Sequence, residues 1–418
     1  MSSSRHVVVV GGGVIGLSCA LSLLERGQRV TILERGGPDH DCCSLGNAGF
    51  VSPSHIVPLS APGIVARALR WMGDPESPFY ARPRLDPEFL AWGFRFWRAS
   101  RPARARRAEP VLADLALRSR ERFLSLAERT DNAFSLVQEG LLLLYRTERA
   151  LEEEARVAAR ARALGMPAAV LDAKGLAGLE PGLTLHAVGG VHYPLDAHLV
   201  PERFHATLTR LVEQSGGAFA WNSELLGFLA DGRRVRAART ARGNVDGDEF
   251  VLAAGSWTPR LLRPLGVKLP LQPGKGYSLT LEAPPELPRR SLILAEARVA
   301  ITPMGSALRV GGTMELAGYD LRINPPRIRG ILHSLERYLP AFRSGDFAGV
   351  RPWAGLRPCS PDGLPYVGRV DGFENLAVAA GHAMMGLSLA PVTGELIGQL
   401  LTGEPPVGIA ALRPDRYA

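Results

Sequence analysis

The sequence predicts an α/β fold in which a Rossmann-like dinucleotide-binding domain is interleaved with a mainly β (α+β) domain. Three observations predict it. A β-branched run leads straight into glycines with dinucleotide-loop spacing, a second strand ends in small residues at mid-chain, and short strand patterns dominate residues 276–313.

The opening unit is the most specific. Val7-Val8-Val9-Val10 reads as a buried parallel strand, and Gly11, Gly13 and Gly16 follow in G-x-G-x-x-G order. Gly11 suits the tight turn, Gly13 lets backbone approach a pyrophosphate, and Gly16 lets helix and strand pack closely. Leu17, Ala20, Leu21 and Leu24 recur at helical spacing, so Val14 and Ile15 open a helix whose free N–H groups and positive dipole end face phosphate. Gly27 is a helix stop, Arg29–Leu33 a second strand, and Glu34 an acid placed to accept hydrogen bonds from a ribose diol. A glycine-rich turn in an ordinary βαβ unit would explain the glycines but not Glu34.

Further along, Ser44-Leu45-Gly46-Asn47-Ala48-Gly49 reads as a loop, and Pro53 forbids a regular central strand at 51–55. Helices are expected at about 60–72, 86–98, 109–129, 148–164, 199–214 and 327–339, with a last one over Leu387–Leu401. Strands are expected at Leu136–Arg146 (with a turn at Glu139-Gly140), around Val191–Tyr193, at Phe219–Asn222, and at Leu225–Leu229 and Arg234–Arg239 around the Asp231-Gly232 turn. Phe250–Gly255 is a second buried strand, with Ala254 and Gly255 at its small-residue end. No repeat or linker breaks the chain. The nucleotide-binding domain is expected to comprise 1–80 with 145–225 and 345–418, and the substrate-binding domain 81–144 with 226–344.

Apolar residues make up 46% of the chain, enough for a large core and against disorder. Cys19, Cys42, Cys43 and Cys359 show neither metal-ligand spacing nor a disulfide framework, so no metal is expected and a reducing, cytoplasmic setting is. Strand pattern begins at once, leaving no room for a signal peptide, and no apolar run approaches membrane-spanning length. The net charge is +8, and eight arginines lie between Arg82 and Arg107 against Asp86 and Glu88. Phe89, Trp92, Phe94, Phe96 and Trp97 share that stretch. The favoured reading is an amphipathic helix with its aromatics packed inward; the alternative is peripheral contact with the inner face of the cell membrane. No nucleic-acid-binding module accompanies the charge.

The fingerprint, Asn47-Ala48-Gly49, Ala61-Pro62-Gly63, Lys275-Gly276-Tyr277-Ser278, Gly355-Leu356-Arg357-Pro358, Pro361-Asp362-Gly363-x-Pro365 and Gly381-His382-x-x-x-Gly386 occur in this order. Together they resemble the FAD-dependent D-amino-acid dehydrogenases, within the amine oxidoreductases that include glycine oxidase and sarcosine oxidase. The resemblance runs from residue 5 to about 417. Pro53-Ser54-His55 and Pro58-Leu59-x-Ala61-Pro62-Gly63 look closest to the branch acting on D-proline or cis-4-hydroxy-D-proline. The resemblance implies a glycine-oxidase-like fold, FAD as cofactor, and electrons passed to a quinone or other non-O2 acceptor. It also implies that Arg35 after the second strand and Ser44, Asn47, Ala48 and Gly49 touch FAD. Gly381, Met385, Gly386 and Leu387 would lie beside the flavin ring, at the start of a helix near Gly386 whose positive end favours negative charge on the pyrimidine side.

Oxidation at Cα needs the carboxylate held and the amine neutral. An arginine fork matches two carboxylate oxygens, and Arg357 is the candidate, in the position where related enzymes hold substrate carboxylate. Tyr277 and Tyr319 are candidates to hydrogen-bond the carboxylate or else pack in the β lobe. His55 and His382 are candidates to accept the amine proton. Where glycine oxidase carries an arginine inside the Gly-His loop, this chain has Met384-Met385, which suits a larger, less charged substrate than glycine. Three rivals stay open: an O2-using glycine/sarcosine-type oxidase, an NAD-linked dehydrogenase, and a flavin-carrying subunit without its own turnover.

Overall fold

The computed structural model describes residues 4–417. The valine run forms the strand His6–Val10 near the middle of a six-stranded sheet. The order is Tyr366–Arg369, Leu376–Ala380, Glu249–Leu252, His6–Val10, Arg29–Leu33, Ala218–Ala220, all parallel except the first pair. Val7 and Val9 enter a core shared with the helices Val14–Leu24 and Ala390–Thr402, whereas Val8 and Val10 enter the core on the opposite face with Phe250 and Leu252. Both faces are covered, which is why the strand reads as an unbroken apolar run. Each buried valine contributes on the order of 2 kcal/mol of transfer free energy.

A nine-stranded mixed sheet forms the second layer. Its order is Trp353–Cys359, Gln272–Leu281, Ala307–Leu316, Val299–Met304, Ser291–Leu294, Leu141–Tyr145, Gly189–Tyr193, Ala169–Asp172, with Phe79–Ala81 beside Ala307–Leu316. The period of two splits it cleanly. Leu142, Leu144, Leu279 and Leu292 pack against the helix Pro325–Tyr338, while Leu141, Leu143, Gly276 and Ile293 face a cavity between this sheet and the glycine turn. A small antiparallel meander, Leu225–Asp231, Arg234–Thr240 and Gly243–Asp246, caps the first sheet.

Several expectations change. The strands cross the segment limits read from the sequence: Glu249–Leu252 joins the nucleotide-type sheet, while Ala169–Asp172, Gly189–Tyr193 and Trp353–Cys359 join the large one. A buried parallel strand needs a neighbour on each side, and chain order does not say which. Gln272–Leu281 and Ala307–Leu316 are ten-residue strands rather than short ones. The helix expected at 109–129 begins at Pro102 and runs through Pro110, because Ala105, Ala108 and Glu109 are buried and Glu109 accepts from Arg160 at 3.1 and 3.3 Å. Strand Ala169–Asp172 and helix Ala173–Leu179 were not anticipated.

The arginine-rich stretch splits. Asp86 caps the helix Pro87–Ala99 by accepting from the Glu88 N–H, and Pro87 takes the first turn, where no N–H is needed. Phe89, Trp92 and Phe96 stack inward, and Trp92 donates its indole N–H to the Cys359 carbonyl at 2.9 Å. Phe94 and Trp97 do not follow them: they are 56% and 47% exposed, with Arg98 and Arg101 lying over their rings. Inward packing of all five aromatics is therefore not what the chain does. Among the described residues no helix is long and apolar enough to cross a membrane.

Candidate active site

The cavity measures about 1520 Å³, beyond the range of a single small-ligand pocket and enough for a dinucleotide with a substrate beside it. One end is the glycine turn. Gly11 adopts φ +111°, and a Cβ there would lie 2.6 Å from the Ala253 carbonyl. A Cβ on Gly16 would lie 1.9 Å from the Gly11 carbonyl, so this glycine serves helix–strand contact and does not reach the cavity. Gly13 faces open space, where an added Cβ would meet only Ser44 Oγ at 3.5 Å, and Val14 donates its N–H to the same hydroxyl at 3.3 Å. The first turn of the helix Val14–Leu24 thus opens onto the cavity with Ile15 beside it.

Glu34 closes this end. Its carboxylate is 8% exposed and accepts from Gly12 N at 2.8 Å and Gly36 N at 3.0 Å, which leaves lone pairs for a diol. Arg35 lies with its guanidinium 4.1 Å from the Trp257 ring centroid, forming a wall with Ala254 and Gly255. The strand before them ends at Leu252, and Gly255 (φ +53°) starts a 3-10 turn. The loop Ser44–Gly49 is pinned from the large sheet: Arg309 donates to the Leu45 and Asn47 carbonyls at 2.8 and 3.0 Å, and Thr302 to Ala48 at 2.7 Å. Asn47, Ala48 and Ser44 line the cavity. Gly49 does not; its Cβ would meet the Leu199 carbonyl at 2.2 Å. These features fit FAD: an open glycine, a helix start and an acid lie along one wall, with room beyond them.

The C-terminal loop differs from expectation in two ways. Gly381 (φ +80°) is held by contact with Tyr366, where a Cβ would come within 2.7 Å, and it does not line the cavity. The helix starts at Ala390 rather than near Gly386; Ala383–Met385 form a separate 3-10 turn, and Met385, Gly386 and Leu387 face the cavity from it. His382 braces this turn. Its Nε2 donates to Thr393 Oγ1 at 2.9 Å, since that hydroxyl gives its own proton to Leu389. Burial pushes the His382 pKa down to about 3. His382 lines the cavity as well, with Nε2 committed to Thr393 and the ring neutral at pH 7.

Arg357 stands at the other end. It projects from Trp353–Cys359 across Gly276, and its Nη1 donates to the Thr313 carbonyl at 2.7 Å. No carboxylate pairs with it among the described residues, and burial lowers its pKa. A guanidinium without an ionic partner at a cavity wall has the chemistry to receive a carboxylate. Thr313 is the unforeseen partner. It is β-branched yet has φ +69°, at a register shift between Gln272–Leu281 and Ala307–Leu316 that turns its carbonyl to Arg357.

Tyr277 contributes to the cavity wall, but its ring belongs to the core behind the sheet. Its hydroxyl donates to Glu315 Oε2 at 2.6 Å within the core behind the sheet, so it does not reach Arg357. Tyr319 donates to the Ser256 carbonyl at 3.0 Å and lies under Arg260. His55 does line the cavity. Burial first, then the charge of Arg298, pushes its pKa down to about 4, so the ring is neutral at pH 7. Arg298 and Arg67 line the same end and escaped the sequence reading, because nothing local marks them.

Comparisons with known proteins agree with this geometry. The FAD dependent oxidoreductase family matches residues 6–400. D-amino acid dehydrogenase of Methylobacterium radiotolerans is 38% identical, covering 99% of this chain and 100% of that one. The protein of the same name from Granulibacter bethesdensis is 34% identical, again over 99% and 100%. Among solved structures, glycine oxidase from Geobacillus kaustophilus superposes with a TM-score of 0.79 at 25% identity, covering 99% of both chains.

Proposed function

The chain belongs to the FAD dependent oxidoreductase family, and from that premise we propose that it dehydrogenates a D-amino acid at Cα, with D-proline or cis-4-hydroxy-D-proline as substrate. One observation carries the reading: Arg357 is partly buried, lacks an ionic partner among the described residues and opens onto the cavity across a glycine. Its two parallel donors would hold the substrate carboxylate and fix the direction of Cα. Bound FAD supplies the hydride acceptor. His55, kept neutral by burial and Arg298, offers the substrate nitrogen a lone pair and no competing charge. Leu59, Phe79, Leu141, Ile293, Met314 and Met384 line the cavity too, and such apolar walls favour an apolar ring over a charged side chain.

A quinone or other non-O2 compound is the proposed electron acceptor. The helix Pro87–Ala99 lines the cavity with Phe89, Trp92, Phe96 and part of Trp97, while the same helix exposes Leu90, Phe94 and the rest of Trp97 amid arginines. Such a face suits the interface of an anionic bilayer, from which an apolar acceptor would approach. This supports a cytoplasmic protein held peripherally at the inner face of the membrane.

The test is anaerobic bleaching of bound FAD by D-proline, cis-4-hydroxy-D-proline, their L-enantiomers, glycine and sarcosine, followed by reoxidation with a quinone analogue or with O2. Bleaching by the D-imino acids and faster quinone turnover are expected. Bleaching by glycine or sarcosine alone, with O2 the faster oxidant, would establish the oxidase alternative; no bleaching by any would leave a flavin-carrying subunit. Arg357→Leu should retain FAD while KM rises about 100-fold, the loss of two charge-assisted hydrogen bonds at roughly 1.5 kcal/mol each.

A further inference from the structure

His40, Cys42 and His205 bring their ligand atoms within 4.8 Å of one another beside Glu34. Each imidazole has one nitrogen committed to a backbone carbonyl, which leaves the other as its donor to a cation. His40 Nδ1 is 3.0 Å from the Gly37 carbonyl and His205 Nε2 is 2.8 Å from the Gly12 carbonyl. A carbonyl oxygen only accepts, so both of these nitrogens carry the proton and the opposite nitrogen of each ring keeps its lone pair. The lone-pair nitrogen of His40, Nε2, is buried and has no hydrogen-bond partner, on a side chain only 5% exposed. Its nearest acid oxygen, Glu34 Oε2, is 3.8 Å away. The Cys42 thiol is close enough to be the main influence raising the His40 pKa. The rings of His40 and His205 meet edge to face at 5.5 Å.

We propose that His40, Cys42 and His205 form a binding site for a thiophilic divalent cation of the zinc type. One thiolate and two imidazoles are the donor set that such an ion selects, and tetrahedral zinc needs ligand atoms about 3.5 Å apart, a modest contraction from the present spacing. The fourth position opens to the cavity, which His40 and Cys42 line. Cation binding releases the thiol proton, so affinity rises with pH and weakens on acidification. Bound there, the cation ties the loop after the strand Arg29–Leu33 to the helix Pro201–Gln214, and through Gly12 to the glycine turn. Linear spacing conceals the site because His205 arrives from another element far along the chain.

The FAD-loaded protein, stripped with chelator and dialysed, is titrated with Zn²⁺ by calorimetry and with Co²⁺ by its ligand-field bands to the red of the flavin absorption. A single equivalent is expected. Loss of an outer-shell partner costs about 10–100-fold in metal affinity, so Cys42→Ser and His205→Gln should each weaken binding by at least about 100-fold. Cys43→Ser should leave it unchanged, and the Co²⁺ spectrum should lose its thiolate contribution only in Cys42→Ser. Absence of saturable binding, or equal affinity in wild type and Cys42→Ser, overturns the proposal. His40→Gln gives a second measure should either of the first two variants fail to fold.

Discussion

Gly276 and Arg357 sit on neighbouring strands so close that a Cβ on Gly276 would lie 2.1 Å from Arg357 Nη1 and 2.2 Å from Cζ. The guanidinium therefore occupies the space a side chain would fill, and the Thr313 carbonyl fixes its azimuth. Gly276→Ala should push the fork aside, because the end of a flexible side chain yields before backbone does. Thermal stability should change by less than about 1 kcal/mol while KM rises at least about tenfold with FAD retained. Steady-state kinetics beside a melting curve checks this; an unchanged KM would mean that Arg357 does not hold substrate.

Tyr277 gives the opposite pattern. Its hydroxyl is committed to Glu315, which also lies 3.6 Å from Lys275 in the core behind the sheet. Tyr277→Phe leaves a buried carboxylate with one donor fewer and should cost about 1–3 kcal/mol of stability. The kinetic constants should stay within about twofold of wild type. A large KM effect without loss of stability would return the hydroxyl to the substrate.

These two neighbours show where sequence reading stops. Gly276 and Tyr277 belong to one motif, yet alternation sends one side chain position to the cavity and the other to the core. The motif reveals that the segment matters but not which residue faces the site. The fingerprint was legible because strand, glycines, helix and Glu34 interact within a few turns of chain. Arg357 could be singled out as the proposed carboxylate holder because a guanidinium fork is chemically distinctive. Thr313, Arg298 and the His40–Cys42–His205 group were not, since each acquires its role from residues distant in sequence. Gly381 misled for the same reason: its contact is Tyr366, not the cavity.

Acid sensitivity follows from buried histidines. Burial pushes His198 down to about 4 and His382 to about 3, against about 6.5 in an unfolded chain. The unfolded state thus binds more protons between those values, and stability falls as pH drops from about 6.5 toward 4. Asp196 acts in the opposite sense. Burial raises it to about 7 despite hydrogen bonds from Ser54, so its contribution is present at low pH and fades as pH rises through 7. Melting temperature across pH 4–7 should show a shallower slope for His382→Gln than for wild type and a steeper one for Asp196→Asn. Identical slopes in all three would refute the assignment.

The exposed aromatics of Pro87–Ala99 make the membrane reading quantitative. Phe94 and Trp97 form a tilted pair at 5.9 Å, flanked by Arg98 and Arg101, and Leu90 extends the apolar face. Their truncation leaves the inward stack of Phe89, Trp92 and Phe96 intact, so folding should be preserved, and turnover with a water-soluble dye separates any effect of Trp97 at the cavity rim from an effect on lipid contact. Inserting two such rings at a bilayer interface is worth on the order of 2 kcal/mol, and each nearby arginine adds about 1 kcal/mol on an anionic surface. The Phe94→Ser, Trp97→Ser double variant should therefore sediment with phosphatidylserine-containing vesicles at least about tenfold more weakly, and high salt should weaken the wild type as well. Turnover with a long-chain quinone embedded in those vesicles should fall in parallel. If wild type and variant sediment alike, this face does not meet lipid and the acceptor reaches the cavity by another route.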